Sequence, residues 1–554
     1  MKNTDKKINI RYRGKDYEFI PPVKGTELAK SLLDKESRNV VAVVENNHYI
    51  RLSDTVCEDA EIDFVFISSI KGMRVYTSSL FLVLLKAFYE LFPNGDLIID
   101  HSISKGYYCF AEIGRVFDAR DVKNLKSRML EFIKKDIPIK NSKMDIKDAR
   151  ELFKNKGYFD TYELLKFRSS GEINVYHLMD NCEFYAEPLL PSTGYLKDFD
   201  IRSYSPGFIV QVPYYTLNGK VPTFVEERKL FTIFRETFYQ NRIIGINNVV
   251  ELNNAIEDGK ISDIIKISEA FHEKKIQDIA GDIASRRNFL KFVLISGPSS
   301  SGKTTFSKRL SIALMLYGIK TITISLDDYF LDREKTPRDE NGNYDYESFY
   351  ALDLELFNDQ IFSLLRGDEV TLPKFNFKAG KKEPGRKIKL EKDQMLVIEG
   401  IHGLNPKLTE QIPGYLKFNI YVSALTQLNL DYHHRMPTTD ARILRRIVRD
   451  NLFRGHSALA TIKMWGNVRK GEDRNIFPFQ ENADVMFNSA LSYELAVLKK
   501  KVESLLLEID DSNPEYPEAQ RLLEFLSFFK PINDREIPPT SILREFIGGS
   551  SFKY

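Results

Sequence analysis

Residues 297–304 read Gly-Pro-Ser-Ser-Ser-Gly-Lys-Thr, which is a complete match to the phosphate-binding loop pattern. The residues before the loop, 292–296, are mostly apolar and predict a buried parallel strand. The residues after it, 303–317, place apolar side chains at helical spacing. A glycine- and serine-rich linker could match the pattern by accident. The flanking strand and helix argue against that alternative, because the loop binds phosphate only between two such elements.

The residue types in the loop each have a chemical role. Gly297 and Gly302 allow the tight backbone turn that points N–H groups inward around a phosphate. Lys303 can reach the β- and γ-phosphates of a nucleotide, and the Thr304 hydroxyl can bind Mg²⁺. The sequence therefore predicts ATP and Mg²⁺ as cofactors. The predicted ATP-binding residues are Gly297, Pro298, Ser299, Ser300, Ser301, Gly302, Lys303, Thr304 and Thr305.

Length and composition limit the classes of protein that this chain can belong to. A chain of 554 residues with 43% hydrophobic and 29% charged residues is expected to form several globular domains. The net charge of +2 gives no general attraction to nucleic acid or membrane surfaces. The cysteines at 57, 109 and 182 form no pair motif, and the longest apolar run, 80–85, is too short to span a bilayer. We therefore expect a cytoplasmic protein with no membrane partner.

The pattern of apolar residues divides the chain into five regions. The region that contains the loop has strand patterns at 292–296, 320–325, 395–399, 417–422 and 484–488, separated by helical patterns. This alternation predicts an α/β fold of the phosphate-loop NTPase type, with a doubly wound parallel sheet. The predicted domains are a ubiquitin-like β-grasp domain at 1–68, an α+β domain at 69–225, a helical connector at 226–290, the α/β domain at 291–508 and a helical tail at 509–554.

Acidic residues follow two of the predicted parallel strands. Asp327 and Asp328 come directly after the second strand, at the sheet edge where ligands bind in such folds. One of them could accept the proton of an attacking hydroxyl group, although a helix cap or turn is the alternative role. Glu399 ends the third strand and could hold Mg²⁺ or its water shell. The alternative for Glu399 is a strand-end residue paired with a surface lysine.

Four arginines lie on one face of a predicted helix. Arg442, Arg445, Arg446 and Arg449 have the i, i+3, i+4, i+7 spacing of such a face, and Arg454 follows near the helix end. A solvated charged face is the alternative interpretation. Like charges on one face repel each other unless an anion lies over them, and guanidinium groups suit a triphosphate. We therefore predict a mobile lid that closes over the phosphates.

A set of motifs comprises the loop and the segments at 325–330, 343–345, 373–377, 399–401, 445–450, 454–455 and 483–485. Through these motifs, residues 291–508 resemble the uridine kinase and phosphoribulokinase family of phosphate-loop kinases. The resemblance implies that Asp327 is the catalytic base and that Asp345 holds the ribose hydroxyls. It also implies that Phe375, with Phe377 in the same motif, lies beside the base of the substrate.

The same resemblance assigns roles to the lid arginines. Arg446, Arg449 and Arg454 match those that contact the phosphates and the reacting hydroxyl, and we count Lys303 with Arg449 and Arg454 as catalytic. Three positions depart from the family pattern, because Gly380, His456 and Met464 replace a histidine, an arginine and a glutamine. The resemblance thus predicts the phosphate and ribose contacts and leaves the preferred base open.

The front of the chain resembles a different family, the threonyl-tRNA synthetases. Residues 7–68 are similar to their β-grasp domain, and the segments 76–80, 91–93, 106–108 and 191–194 are similar to their editing-type second domain. Such editing domains hold a metal with three histidines and a cysteine. The matching positions here are Tyr76, Leu80, Tyr185 and Leu189, which offer no imidazole or thiolate ligand. We expect a retained scaffold without its hydrolytic site, which binds RNA, a regulatory ligand or another subunit.

Together these features predict an ATP- and Mg²⁺-dependent kinase that phosphorylates the 5′-hydroxyl of a nucleoside. An alternative is an RNA- or translation-associated regulator in which nucleotide binding acts as a switch. The synthetase-like front half favours this alternative, whereas the lack of a basic, aromatic-rich stripe disfavours it. The sequence is compatible with a homo-oligomer, and the missing metal ligands argue against tRNA proofreading.

Overall fold

The computed structural model describes residues 7–168, 171–339, 342–377, 379–425 and 428–554. Its first region is a β-grasp fold in which one helix packs on a mixed five-stranded sheet. The strand order is β2-β1-β7-β4-β5, with β1 parallel to β7 and the other pairs antiparallel. Its elements are β1 (Ile8–Tyr12), β2 (Lys15–Phe19), β3 (Val23–Lys24), α1 (Gly25–Leu33), β4 (Val40–Glu45), β5 (His48–Ile50), β6 (Thr55–Val56) and β7 (Ala60–Phe66).

The second region is an α+β structure with two antiparallel sheets. Its long helix α2 is almost wholly apolar between residues 80 and 88, and it is buried between the sheets and the β-grasp region. The sheet orders are β10-β11-β12 and β13-β14-β9-β8. The elements are α2 (Ile70–Leu91), β8 (Asp96–Ile103), β9 (Gly106–Glu112), α3 (Ala119–Lys134), β10 (Lys140–Asp145), α4 (Ile146–Asn155), α5 (Phe159–Leu165), β11 (Glu172–Leu178), β12 (Asn181–Phe184), β13 (Asp200–Tyr204) and β14 (Gly207–Gln211).

The loop motif lies in a five-stranded parallel sheet with the order β16-β19-β15-β20-β21. Strand β15 is buried along its whole length because helices cover both faces of the sheet. This arrangement confirms the predicted α/β fold class. Three helices lead into it, α6 (Arg228–Ile244), α7 (Val249–Glu257) and α8 (Ile261–Ser285). The sheet and its first helices comprise β15 (Phe292–Ser296), α9 (Lys303–Leu316), β16 (Lys320–Ser325), α10 (Leu354–Arg366), β19 (Gln394–Glu399), β20 (Lys417–Ser423) and β21 (Val485–Asn488).

A separate β-hairpin and five more helices complete the chain. The hairpin flanks the strand end that carries Asp327 and Asp328, and α11 packs against α12, α13 and α15. No helix in the described part of the chain is long and apolar enough to cross a membrane. The remaining elements are β17 (Glu369–Asn376), β18 (Lys381–Lys389), α11 (Thr438–Arg454), α12 (Ala458–Asn475), α13 (Glu494–Leu507), α14 (Tyr516–Ser527) and α15 (Arg544–Ile547).

One hydrophobic core crosses the regions that the sequence separates. It joins side chains of α4 and α5 in the front half, the connector helices, the parallel sheet and the tail. The tail residues Ile542, Leu543 and Phe546 have no exposed surface. The tail is therefore an integral part of the core around the loop, and the domain limits themselves stay a proposal.

A buried polar network also ties the front half to the segment before α11. Glu183 of β12 lies 2.7 Å from His433, and Asp431 lies 2.7 Å from His434, whose other ring nitrogen contacts the Phe184 carbonyl oxygen at 2.7 Å. Burial opposes a charge on His434, but Asp431 and Glu183 outweigh it and raise its pKa to about 9. Burial likewise opposes a charge on Asp431, and the two histidines outweigh it and lower its pKa to about 2.

This network predicts how stability depends on pH. The pKa of His434 in the folded protein lies above its unfolded value, so its contribution is complete below about pH 6.5 and is lost as the pH rises through about 9. The wild type is expected to lose roughly 1 kcal/mol per pH unit more than His434→Gln between pH 7 and 9. Urea unfolding at fixed pH values measures this, with the exposed His456→Gln as control. Equal slopes for wild type and His434→Gln would contradict it.

Candidate active site

The loop between β15 and α9 has a shape that only glycine allows at its two ends. A Cβ atom on Gly297 would overlap the carbonyl oxygen of Val422 on the neighbouring strand β20. Gly302 has a φ of +82°, and a Cβ there would overlap the side chain of Ile542. The loop is therefore pressed between the sheet and the tail, and both glycines are required by close contacts.

The loop presents unpaired backbone donors. The N–H groups of Ser300 through Thr304 have no hydrogen-bond acceptor among the residues that the structure describes. Lys303 folds back over them, and its Nζ donates to the carbonyl oxygens of Gly297 and Pro298 at 2.9 and 3.0 Å. Burial lowers the pKa of Lys303, which Glu399, Asp327 and Glu545 oppose. A row of free N–H groups at a helix N-terminus, with a lysine beside it, fits a polyphosphate.

Two buried arginines hold the loop in place. Arg442 pairs with Glu472, with a 2.6 Å contact from Nη2 to Oε2, and Arg442 also donates to the Ser299 carbonyl oxygen. Glu472 accepts the N–H of Ser299 at 3.1 Å. Arg445 pairs with Glu494 in the same way, and it donates to the carbonyl oxygen of Ser489.

These pairs correct one sequence-based prediction. Four arginines of α11 were expected to face the phosphates, because their charges would otherwise repel each other. Arg442 and Arg445 are 1% and 0% exposed, and carboxylates of α12 and α13 neutralise them. The helix is thus part of the core, and only residues 451–457 are exposed enough to form a lid.

The other arginines of α11 lie at the edge of the site and converge on one carboxylate. Arg446 and Arg449 contact Asp450 at 3.2 and 2.8 Å, and Arg454 contacts it at 3.5 Å. Arg446 also donates to the Ser299 hydroxyl at 3.0 Å, which places its guanidinium against the loop. Burial holds the pKa of Arg446 and of Arg454 below the usual value for arginine. Three cations with one shared carboxylate leave positive charge for an anion.

The three predicted acidic residues differ in their surroundings. Asp327 is exposed and makes no hydrogen bond or ion pair with any described residue. Asp328 accepts the N–H of Phe375 at 3.2 Å, and burial raises its pKa. Burial and the like charge of Asp327 raise the pKa of Glu399 to about 7, while Lys303 opposes the shift. Asp327, Glu399 and Lys303 therefore share one electrostatic environment, whereas Asp328 supports the hairpin.

The residues predicted to bind the nucleoside lie near the same strand end, where Phe375 donates its N–H to Asp328. Asp345 lies 4.0 Å from Arg474, and Phe375 is 6% exposed with its ring 5.1 Å from that of Phe377. Glu347 was missed by the sequence analysis. Its Oε2 atom is buried without a hydrogen-bond partner, and burial together with the charge of Glu472 raises its pKa to about 7.

The residues present fit ATP with magnesium. The unpaired donors of the loop suit phosphate oxygens, and the Thr304 hydroxyl and Glu399 supply the oxygen ligands that Mg²⁺ prefers. Within the described ranges, no three histidine, cysteine or acidic side chains are placed to hold a metal alone.

The tail contributes a contact to the loop that sequence analysis missed. Glu545 of α15 accepts hydrogen bonds from the N–H and the hydroxyl group of Thr305, at 3.1 and 2.7 Å. The Tyr554 hydroxyl lies 2.8 Å from the same threonine oxygen. No local pattern could reveal this contact, since about 240 residues separate the partners.

In the front half, the positions that would hold an editing metal are part of an apolar core. Tyr76, Leu80, Tyr185 and Leu189 are all buried in one hydrophobic cluster. The hydroxyl group of Tyr76 donates to the carbonyl oxygen of Asp198 at 3.0 Å. These four side chains contribute apolar and phenolic groups to the cluster, with no imidazole or thiolate among them.

Comparison with known proteins assigns the two halves separately. Residues 292–495 match the model of the phosphoribulokinase/uridine kinase family. A uridine kinase from Halobacterium salinarum is 27% identical over 212 residues, which are 38% of this chain and 85% of that protein. A solved structure described as a possible uridine kinase from Bacillus stearothermophilus is 23% identical, covers 37% of this chain and all of the other chain, and has a TM-score of 0.26.

The front half matches threonine–tRNA ligases. The ligase from Desulforamulus reducens is 30% identical over 178 residues, or 32% of this chain. The chain spans less than a third of the length of the ligases that it matches. The phosphate-loop region therefore carries the sequence pattern of the phosphoribulokinase/uridine kinase family, and it is preceded by a region similar to the front of threonine–tRNA ligases.

Because Glu472 pairs with Arg442 and accepts the Ser299 N–H, its replacement is expected to destabilise the folded protein strongly. Glu472→Ala leaves Arg442 buried without its carboxylate and removes the acceptor of the Ser299 N–H. We expect the free energy of unfolding to fall by about 3–5 kcal/mol, as for other broken buried pairs. Urea unfolding measures the change, and Glu508→Ala, at an exposed position, is the control. A decrease in the free energy of unfolding as small as that of Glu508→Ala would contradict the role of Glu472 in holding the loop.

Proposed function

We propose that this protein is an ATP- and Mg²⁺-dependent kinase that transfers a phosphoryl group to the 5′-hydroxyl of a nucleoside. The observation that carries the proposal is the combination of loop N–H groups and an exposed Asp327 near Lys303, all without a hydrogen-bond partner among the described residues. The match of residues 292–495 to a family of kinases supports it. The free cysteines at 57, 109 and 182 suit a reducing compartment, and we infer that the enzyme acts in the cytoplasm.

Each catalytic residue has a defined task in this proposal. Asp327 accepts the proton of the substrate hydroxyl group. The oxygen of that hydroxyl group attacks the γ-phosphorus atom, and the bond from this atom to the oxygen shared with the β-phosphate breaks. Lys303 leaves the loop carbonyl oxygens and neutralises charge on the β- and γ-phosphates. Thr304 and Glu399 would hold magnesium, which would supply positive charge to neutralise the phosphates during transfer. The products are ADP and the phosphorylated acceptor.

The arginines at the edge of the site complete the charge balance. Arg446 and Arg449 exchange part of their contact with Asp450 for phosphate oxygens, and Arg454 moves with the exposed end of α11. The ribose hydroxyls bind Asp345, and the base lies beside Phe375, with the exposed Phe377 at the rim. Because Gly380, His456 and Met464 replace the base-reading residues of the family, a base other than uracil is compatible with this site.

A second candidate function is supported by one feature of the fold. The front half is similar to threonine–tRNA ligases and is joined to the segment before α11 by the Glu183–His433 and Asp431–His434 contacts. A ligand or RNA bound to the front half could therefore act on the kinase region. Turnover of ATP with single nucleosides and no RNA distinguishes an independent kinase from an RNA-dependent regulator.

The different surroundings of the two aspartates generate a test of the mechanism. Asp327→Asn is expected to lower turnover by roughly a hundredfold, the usual effect of losing a general base, with little change in ATP affinity. Asp328→Asn is expected to do less, because Asp328 accepts the Phe375 N–H. Steady-state rates with ATP and a nucleoside measure both variants. The opposite ranking would make Asp328 the base and contradict the assignment.

A further inference from the structure

The contact between the tail and the loop has a consequence for nucleotide binding. Glu545 holds Thr305 through two hydrogen bonds, one from the backbone N–H and one from the side-chain hydroxyl. Thr305 is the third residue of α9, so its N–H is one of the helix N-terminal donors that lack a partner within the helix. A carboxylate is thus bound at the anion-binding end of the loop helix.

The same donors belong to the phosphate cradle. In a phosphate loop, consecutive N–H groups at the start of the helix bind the α- and β-phosphates. The N–H groups of Ser300 through Thr304 are unpaired in the described chain, and Thr305 continues that row. The Glu545 carboxylate therefore occupies the end of the cradle where a phosphate oxygen would otherwise bind.

We propose that Glu545 is a residue of the nucleotide site and that it sets nucleotide affinity by competing with the α- or β-phosphate for Thr305. This inference rests on the proposed kinase function. A bound nucleotide displaces the carboxylate, because two anions cannot share the same pair of donors. The affinity measured for a nucleotide then includes the cost of releasing Glu545.

The packing of the tail indicates which part moves. Leu543 and Phe546, on either side of Glu545, are fully buried, and Ile542 packs against Gly302. The guanidinium group of Arg445 lies 4.9 Å from the centre of the Phe546 ring. The tail backbone is thus fixed against the loop, and the Glu545 side chain leaves Thr305 by rotation while the tail stays in place.

Electrostatic repulsion is a second reason to expect that Glu545 competes with the phosphates of a nucleotide. Glu545 acts on Lys303 together with Asp327 and Glu399, so the loop lysine already has three carboxylates nearby. A nucleotide adds further negative charge at the same place. Replacing Glu545 with glutamine turns a charged acceptor into a weaker, neutral one and removes one repulsive charge.

Equilibrium binding of MgADP to the full chain tests the inference without depending on turnover. Isothermal titration compares the wild type with Glu545→Gln, which keeps the size of the side chain and removes its charge. We expect Glu545→Gln to bind MgADP about tenfold more tightly, which is the scale of one charge-assisted hydrogen bond. Glu536→Gln, an exposed tail position with the same change of charge, is expected to match the wild type.

The outcomes separate this inference from the proposed function. Equal or weaker MgADP binding by Glu545→Gln, with clear binding by the wild type, overturns the role of Glu545 and leaves the kinase intact. If Glu536→Gln tightens MgADP binding as much as Glu545→Gln does, the effect comes from the change in total charge, and the inference also fails. If none of the three proteins binds MgADP, the proposed function fails, and the inference fails with it.

Discussion

The shape of the phosphate loop depends on the buried ion pair between Arg442 and Glu472. This pair holds both the carbonyl oxygen and the N–H of Ser299, so the first part of the loop is fixed by side chains of α11 and α12. Arg445 and Glu494 fix the following residues through α13. With the early loop tied down, the N–H groups of Ser300 through Thr304 have no acceptor among the described residues and can bind an anion. Burying two arginines costs free energy, which their paired carboxylates partly offset. The pairs keep the loop in a shape that fits phosphate.

The same constraint links the tail to function. Gly302 has no side chain, and Ile542 fills the space beside it, so the tail forms one wall of the loop. Glu545, in the same segment, accepts the N–H of Thr305 in the first turn of α9. The tail therefore packs directly on the phosphate loop, and its removal would expose the loop and the core beneath it.

The sequence predicted those features that depend on neighbouring residues. The loop motif, strand β15 and the parallel sheet follow from local patterns of glycine and apolar residues, and the β-grasp domain follows from the size and order of its elements. Arg442 and Arg445 were misjudged because their partners, Glu472 and Glu494, lie on other helices. Glu545 was missed for the same reason. A pattern on one helix shows which side chains share a face and cannot show what covers that face.

The central claim is that the loop, Asp327 and the arginines of α11 together phosphorylate a nucleoside. The most direct measurement is product mass after the full chain is incubated with ATP, Mg²⁺ and each member of a nucleoside panel, with Lys303→Ala as control. Our account predicts one phosphorylated nucleoside, formed together with an equal amount of ADP, and almost none with Lys303→Ala. It is contradicted if ATP is consumed without a phosphorylated nucleoside, or if Lys303→Ala forms as much product as the wild type.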